Sequence, residues 1–321
     1  MGYPFPFTLT SLSTESVMKQ QIVITTSSFG ALNSAPLDIL RDRGFEVVLN
    51  PYGKALTTAE AIELCRSAVG IVAGTEPLNQ AFMDACPNLQ AISRCGTGTD
   101  NVDLVYASQR GIPVFNTPDA PTLAVAELTV GLMLDLLRQI SRQDALLRQG
   151  SWKKLMGFQL SGKRVGFVGF GRIARKIAEL IAPFDCQTVF ADPMVADGTD
   201  GLARLALDDL LAWSDIVSLH ASAREPLIGQ REFDLMRPGG WLVNTARGRA
   251  VDEKALLDAL NCGHLAGAAL DVFSQEPYRG PLRDLCNVVL TPHIGSYAQE
   301  SRILMETEAA QNLLKGIKEC Q

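Results

Sequence analysis

Short runs rich in β-branched residues recur along this chain, each divided from the next by a segment with helical spacing. IVIT (22–25), FEVVL (45–49), GIVAG (70–74), LQAIS (89–93) and PVFN (113–116) form a first series. AEAIELCRSA (59–68) and LNQAFMDAC (78–86) read as helices between them. Alternation of this kind predicts a parallel sheet, because parallel neighbours need a crossover long enough to hold a helix. A second series follows: RVGFVGF (164–170), TVFAD (188–192), DIVSLH (215–220), GWLVNTA (240–246), LAGAALDVF (265–273) and NVVLTPH (287–293). Between the two, one long helix is expected from about Pro121 to Gln149, apolar on nearly all faces from Thr122 to Ile140 and stopped by Gly150. A last helix is expected near Tyr297 to Lys315. The fold class is therefore α/β: two doubly wound parallel-sheet domains linked by helices, which suits 321 residues.

Composition narrows the function classes. The chain is 47% hydrophobic and carries a net charge of −6, so no basic surface invites nucleic acid or anionic lipid. The longest apolar stretch, Leu123 to Leu137, is interrupted by Glu127 and Asp135 and is shorter than a bilayer span, so no membrane association is expected. Seven cysteines without a C-x-x-C pair fit reduced thiols in a cytoplasmic protein better than a disulfide framework. Three histidines and no Cys/His cluster argue against a zinc site, and no metal is expected. Residues 1–18 lack the basic start of a secretory signal and read as a disordered leader, with Met18 a candidate start.

Gly169-Phe170-Gly171-Arg172-Ile173-Ala174 follows a strand and opens a helix. In a dinucleotide turn the first glycine permits the sharp bend, the second lets a pyrophosphate approach the backbone, and the third small residue packs helix on strand. The helix N-terminus then faces the pyrophosphate. Asp192 ends the next strand, about 20 residues on, where a carboxylate accepts from ribose hydroxyls and repels a 2′-phosphate. NAD is the expected cofactor. Downstream, NTARGR (244–249) places Arg247 beyond a strand, DVFSQEP (271–277) puts Glu276 before a proline, and TPHIGS (291–296) puts His293 after a strand. An arginine to grip an anion, an imidazole to move a proton and a carboxylate to keep it charged suit hydride transfer to a 2-oxo acid.

Together these segments, with SRCGTGTDNVDL (93–104), GIPVFNTP (111–118), VAELTVGLML (125–134) and VDEKALLDAL (251–260), resemble in order the D-isomer-specific 2-hydroxyacid dehydrogenase family, especially its phosphoglycerate dehydrogenase-like branch. The resemblance implies a flavodoxin-like substrate domain from 19–118 and 298–321 and a Rossmann NAD domain over 119–297. It makes Arg247, Glu276 and His293 catalytic. It carries cofactor contacts onto Thr97, Gly169, Gly171, Arg172, Ile173, Asp192, Thr245, Ala246, Asp271, Gly295 and Ser296, with Asp271 facing the nicotinamide carboxamide. The Gly96–Gly98 loop joins Arg247 as a binder of the small anionic 2-oxo or 2-hydroxy acid, its N–H groups acting as an anion nest. A homodimer is expected from the family and from the apolar 121–140 helix. The leading substrate is 3-phosphoglycerate. Ala73 and Glu76, in VAGTE (72–76), offer a phosphate no cation. Glyoxylate or hydroxypyruvate reduction, phosphite oxidation and an NAD-sensing regulator on the same scaffold are the alternatives. His220 lacks an obvious carboxylate partner, and Ser222 replaces a proline common in the family. His264 reads as a residue near its own helix C-terminus.

Overall fold

In the computed structural model, which describes residues 19–223 and 225–317, the two alternating series become two parallel sheets. The expected leader lies outside the described residues. The chain divides into two units, one holding residues up to Asn116 and from Glu306 onward, the other Thr117–Met305.

In the first unit β1 (Gln21–Ile24), α1 (Ala35–Arg41), β2 (Glu46–Leu49), α2 (Thr58–Cys65), β3 (Gly70–Ala73), α3 (Gln80–Ala85), β4 (Ala91–Arg94), α4 (Leu104–Gln109) and β5 (Val114–Phe115) alternate strictly. The sheet order β2-β1-β3-β4-β5 is the flavodoxin-like winding. Helix starts are set by side chains: Thr57 and Glu60 form a capping box on α2, and Asn79 and Asp103 accept from the first turns of α3 and α4. Gly70 and Gly316 lie where a Cβ would meet Ile317 and Ala91 at 2.6 and 2.7 Å, so absent side chains let the chain's end pack on this sheet.

The second unit begins with α5 (Thr122–Arg138) and α6 (Ile140–Arg148). It continues through β6 (Arg164–Val168), α7 (Arg172–Ile181), β7 (Gln187–Ala191), β8 (Ala203–Arg204), α8 (Leu207–Trp213) and β9 (Ile216–Leu219). Then come α9 (Gln230–Leu235), β10 (Gly240–Asn244), α10 (Glu253–Asn261), β11 (Leu265–Leu270) and β12 (Val288–Leu290). Helix α11 (Gln299–Gly316) starts in this unit and ends in the first. The sheet order β12-β11-β10-β9-β6-β7-β8 reverses direction between β6 and β9, which is the Rossmann switch point. Both faces are covered: one cluster holds Leu219, Phe233, Leu242 and Leu256, the other Phe167, Phe170, Ala174 and Ile177. Among the described residues no helix is long and apolar enough to cross a membrane, and no group of three His, Cys, Asp or Glu is placed to hold a metal.

One expectation fails. The helix predicted over 121–149 is two helices broken at Gln139, whose φ of 53° is left-handed. Nothing in the sequence announces the break, which lacks a glycine or proline. The Asp135 carboxylate accepts from the Ser141 N–H at 2.8 Å, and the Gln139 side-chain amide donates to the Met156 carbonyl at 3.0 Å. These bonds offset the roughly 1 kcal/mol that a left-handed residue with a Cβ costs. Nor is α5 buried all round, since Leu123 is exposed.

Candidate active site

The ends of β10, β11 and β12 lie level, because Asn244, Leu270 and Leu290 are partners in register. Three loops therefore leave adjacent strands at one sheet edge, each carrying one member of the trio. The Asn244 side chain fixes the first: its Nδ2 donates to the Arg247 carbonyl at 2.9 Å and its Oδ1 accepts from the Ala246 N–H at 3.0 Å. Arg247 itself donates to the Ala246 carbonyl at 2.8 Å. Gly248 follows because nothing larger fits: a Cβ there would lie 1.8 Å from the carbonyl carbon of Phe273. That contact locks the Arg247 loop onto the loop carrying Glu276.

Asp271 organises the third loop. Only 1% exposed, it accepts from the Thr291 hydroxyl at 2.6 Å and from the N–H groups of Ile294 and Gly295 at 2.8 and 2.9 Å. The turn so held gives His293 a φ of 54°, and Asp271 supplies the bonds that keep it there. His293 Nδ1 lies 2.7 Å from Glu276 Oε2, while Glu276 Oε1 accepts from the Phe273 N–H at 3.1 Å. With Nδ1 occupied, Nε2 is the nitrogen open to a reactant.

The hydrogen bond to Glu276 raises the His293 pKa above the ordinary imidazole value against the opposing effect of burial. Burial pushes the Glu276 carboxyl up, but its hydrogen bond and charge attraction to His293 prevail and hold it below the usual carboxylate range. Arg247 is close enough for its charge to lower both. The arrangement is an imidazole–carboxylate pair beside a guanidinium, with the imidazole biased toward its charged form, a geometry that can deliver a proton next to an anion.

At the other part of the edge, β6 runs into the glycine turn. Gly169 has φ 85°, and a Cβ on it would meet the Ala221 nitrogen at 2.6 Å. A Cβ on Gly171 would meet nothing within 4 Å, which leaves the N-terminus of α7 open. Asp192 accepts from the Phe170 N–H at 2.9 Å through one oxygen and from the Met194 N–H at 2.8 Å through the other. It thus braces the turn as well as ending the strand.

A sequence model described as "D-isomer specific 2-hydroxyacid dehydrogenase, NAD binding domain" matches residues 130–295. A glyoxylate reductase of Thermofilum pendens is 41% identical over 259 residues, 76% of either chain. A D-3-phosphoglycerate dehydrogenase of Sus scrofa is 37% identical over 291 residues, 88% of this chain but 54% of that one. The crystal structure of a glyoxylate reductase from Paecilomyes thermophila superposes with a TM-score of 0.84 at 28% identity, covering 94% of this chain and 96% of that one. This chain belongs to the D-isomer-specific 2-hydroxyacid dehydrogenase family. It spans about half the length of the phosphoglycerate dehydrogenases it matches.

The matched segment lies wholly within the second unit, and the residues there fit NAD: an open helix N-terminus, a glycine cradle and a carboxylate ending β7. Arg172, at the start of α7, is paired with Asp119 at 2.7 Å. Ile173 is half-buried, and Thr245 is buried with its hydroxyl 2.9 Å from that of Thr129 on α5. Ala246, Gly295 and Ser296 sit in the Arg247 and His293 loops. Thr97 and the Gly96–Gly98 loop belong to the first unit. There the Gly96 N–H donates to the Arg94 carbonyl, while the Thr97 carbonyl accepts from the Asn116 side chain at 2.7 Å.

Two sequence-based expectations are revised. His264 does not serve its own helix: its Nε2 lies 2.8 and 3.0 Å from the Phe233 and Met236 carbonyls, at the end of α9. Glu76 is buried, its carboxylate taken up by the Thr25 hydroxyl and the Gly74 N–H, so it bears on loop structure and not on an incoming anion. Sequence reasoning missed Asn244 and Thr129; the first has a signal, since an asparagine ending a strand is prone to bond its own backbone two residues on. A surface groove of about 850 Å³ runs along α7 past Arg172, Arg175 and Lys176, and none of the trio lines it.

Proposed function

We propose that this protein is an NAD-dependent dehydrogenase acting on the CH–OH group of a small D-2-hydroxy acid. The observation that carries the reading is the 2.7 Å contact between His293 and Glu276 beside Arg247, within a chain of this family. NAD, when bound, accepts or supplies the hydride. Arg247 grips the substrate carboxylate and polarises the adjacent carbonyl, since a guanidinium presents a rigid fork of donors. His293 gives its Nε2 proton to the forming alkoxide in reduction and takes it back in oxidation. Glu276 keeps the ring charged and oriented. Thr97 and Gly98 make no backbone N–H bonds among the described residues, which supports the first unit as the substrate domain and this loop as an anion binder. In this reading the second unit is the NAD domain. Arg247→Ala raises KM and lowers kcat together, because the contact exists in ground and transition states alike; an unchanged kcat/KM removes Arg247 from the mechanism.

Within that class 3-phosphoglycerate stands first, supported by 37% identity across most of this chain. Glyoxylate or hydroxypyruvate is the second reading, favoured by the 41% match and by Ala73, a buried methyl offering a phosphate nothing. Comparing kcat/KM for 3-phosphoglycerate with NAD against that for glyoxylate and hydroxypyruvate with NADH decides between them. We read the protein as a cytoplasmic homodimer. The six described cysteines form no disulfide among themselves, and Trp152 and Met156 stand 82% and 90% exposed in the segment after α6, a large apolar area for a monomer to leave in water.

A further inference from the structure

Helix α5 meets two of the loops that carry the trio, through side chains one turn apart. Val125 and Thr129 are spaced i and i+4, so they share a face of the helix. Thr129 is fully buried, and its hydroxyl lies 2.9 Å from that of Thr245, two residues before Arg247. Val125 abuts the third loop: a Cβ on Gly295, two residues after His293, would lie 3.2 Å from the Val125 side chain. Farther along, a Cβ on Gly267 of β11 would meet Leu136 at 3.0 Å, so the bare glycine lets the helix settle closely on the sheet.

The Thr129 hydroxyl also donates to the Val125 carbonyl at 2.7 Å. A carbonyl can only accept, so the hydrogen of Thr129 goes there and its oxygen is left to accept from Thr245. Asn244 shapes the Arg247 loop from within, and Gly248 joins that loop to the one carrying Glu276. Helix α5 adds a rigid reference shared with the His293 loop, its two contact points about 6 Å apart along the axis. Such a reference matters because an anion grip and a proton donor must meet neighbouring atoms of one small substrate. A misplacement of about 1 Å there costs on the order of a hundredfold in rate.

We propose that Thr129 and Val125 are positioning residues, Thr129 holding Arg247 through Thr245 and Val125 holding His293 through Gly295, so that α5 fixes the distance between the anion grip and the proton donor. The inference rests on the dehydrogenase reading. Neither side chain touches a reactant. Each acts through a loop, and the two loops do different work, so the two residues leave different kinetic marks.

The test is steady-state reduction by NADH of whichever of glyoxylate, hydroxypyruvate and 3-phosphohydroxypyruvate the wild type turns over best. Thr129→Val keeps the volume and removes the acceptor. It is expected to lower kcat/KM about tenfold, the worth of one buried hydrogen bond, with KM raised and kcat lowered as for a weakened Arg247. Thr129→Ser, which keeps the hydroxyl, recovers most of that loss. In an Arg247→Ala background Thr129→Val changes kcat/KM by less than about twofold, because nothing is left for it to position. Val125→Ala, acting on the proton donor, lowers kcat with KM little changed. If Thr129→Val does not fold, Thr245→Val breaks the same bond from its other end. Wild-type kcat/KM in either folded variant, full additivity with Arg247→Ala, or one shared kinetic pattern for Thr129→Val and Val125→Ala overturns the proposal and leaves the dehydrogenase reading standing. Wild-type protein that reduces none of the three acids overturns both.

Discussion

Nδ1 of His293 is committed to Glu276, so the proton chemistry proposed for the trio turns on Nε2 and on how long the ring stays charged as pH rises. The bond to Glu276 raises the ring's pKa, so the charged form that reduction needs persists to higher pH and is lost as pH climbs through the raised value. Glu276→Gln keeps the shape and removes the charge. Its reductive pH–kcat profile is expected to fall at lower pH than that of the wild type, while oxidation, which needs the neutral ring, extends to lower pH. A profile that does not move separates Glu276 from the proton step. At this scale the placement of Arg247, Glu276 and His293 at one sheet edge was legible because each closes or follows a strand-like run downstream of a glycine turn. The part played by Asp271 was not. A carboxylate after a strand reads as a ligand contact, and only the folded turn reveals that it also holds Thr291, Ile294 and Gly295.

Between elements the decisive contact is the approach of Gly248 to Phe273. Gly248→Ala would drive a methyl into backbone 1.8 Å away, and neither loop can yield without moving Arg247 or Glu276. We expect a stability loss of more than about 3 kcal/mol in urea unfolding, with activity falling further than stability explains. A variant with native stability and rate shows that the loops are less tightly joined. The strands themselves were readable from β-branched runs, save β8. Ala203–Arg204 is a two-residue, exposed edge strand with no apolar alternation to betray it. The break between α5 and α6 was hidden for a different reason: it depends on the Met156 carbonyl, a partner 17 residues from Gln139.

Across the whole molecule, the second unit is one unbroken segment with core on both faces of its sheet. Expressed alone, residues 117–305 are expected to fold and bind NADH with the affinity of the full chain, yet to turn over no 2-oxo acid. A fragment that fails to bind shows that the first unit helps build the nucleotide site. For the proposed homodimer, wild-type protein is expected to sediment as a dimer and the variant with glutamate at both Trp152 and Met156 as a monomer; a wild-type monomer overturns the dimer, and an unchanged variant removes these residues from its interface. Two doubly wound sheets followed from alternation alone. The break in their ownership of the chain is subtler, since the passage from one unit to the other falls inside α11, where periodicity runs on without interruption.

That division has a practical consequence for protein engineering. The three residues proposed for acid–base work lie in one uninterrupted stretch, whereas the other unit is drawn from segments on either side of it. Grafting a relative's segments in place of residues 19–116 and 306–317 leaves Arg247, Glu276 and His293 untouched.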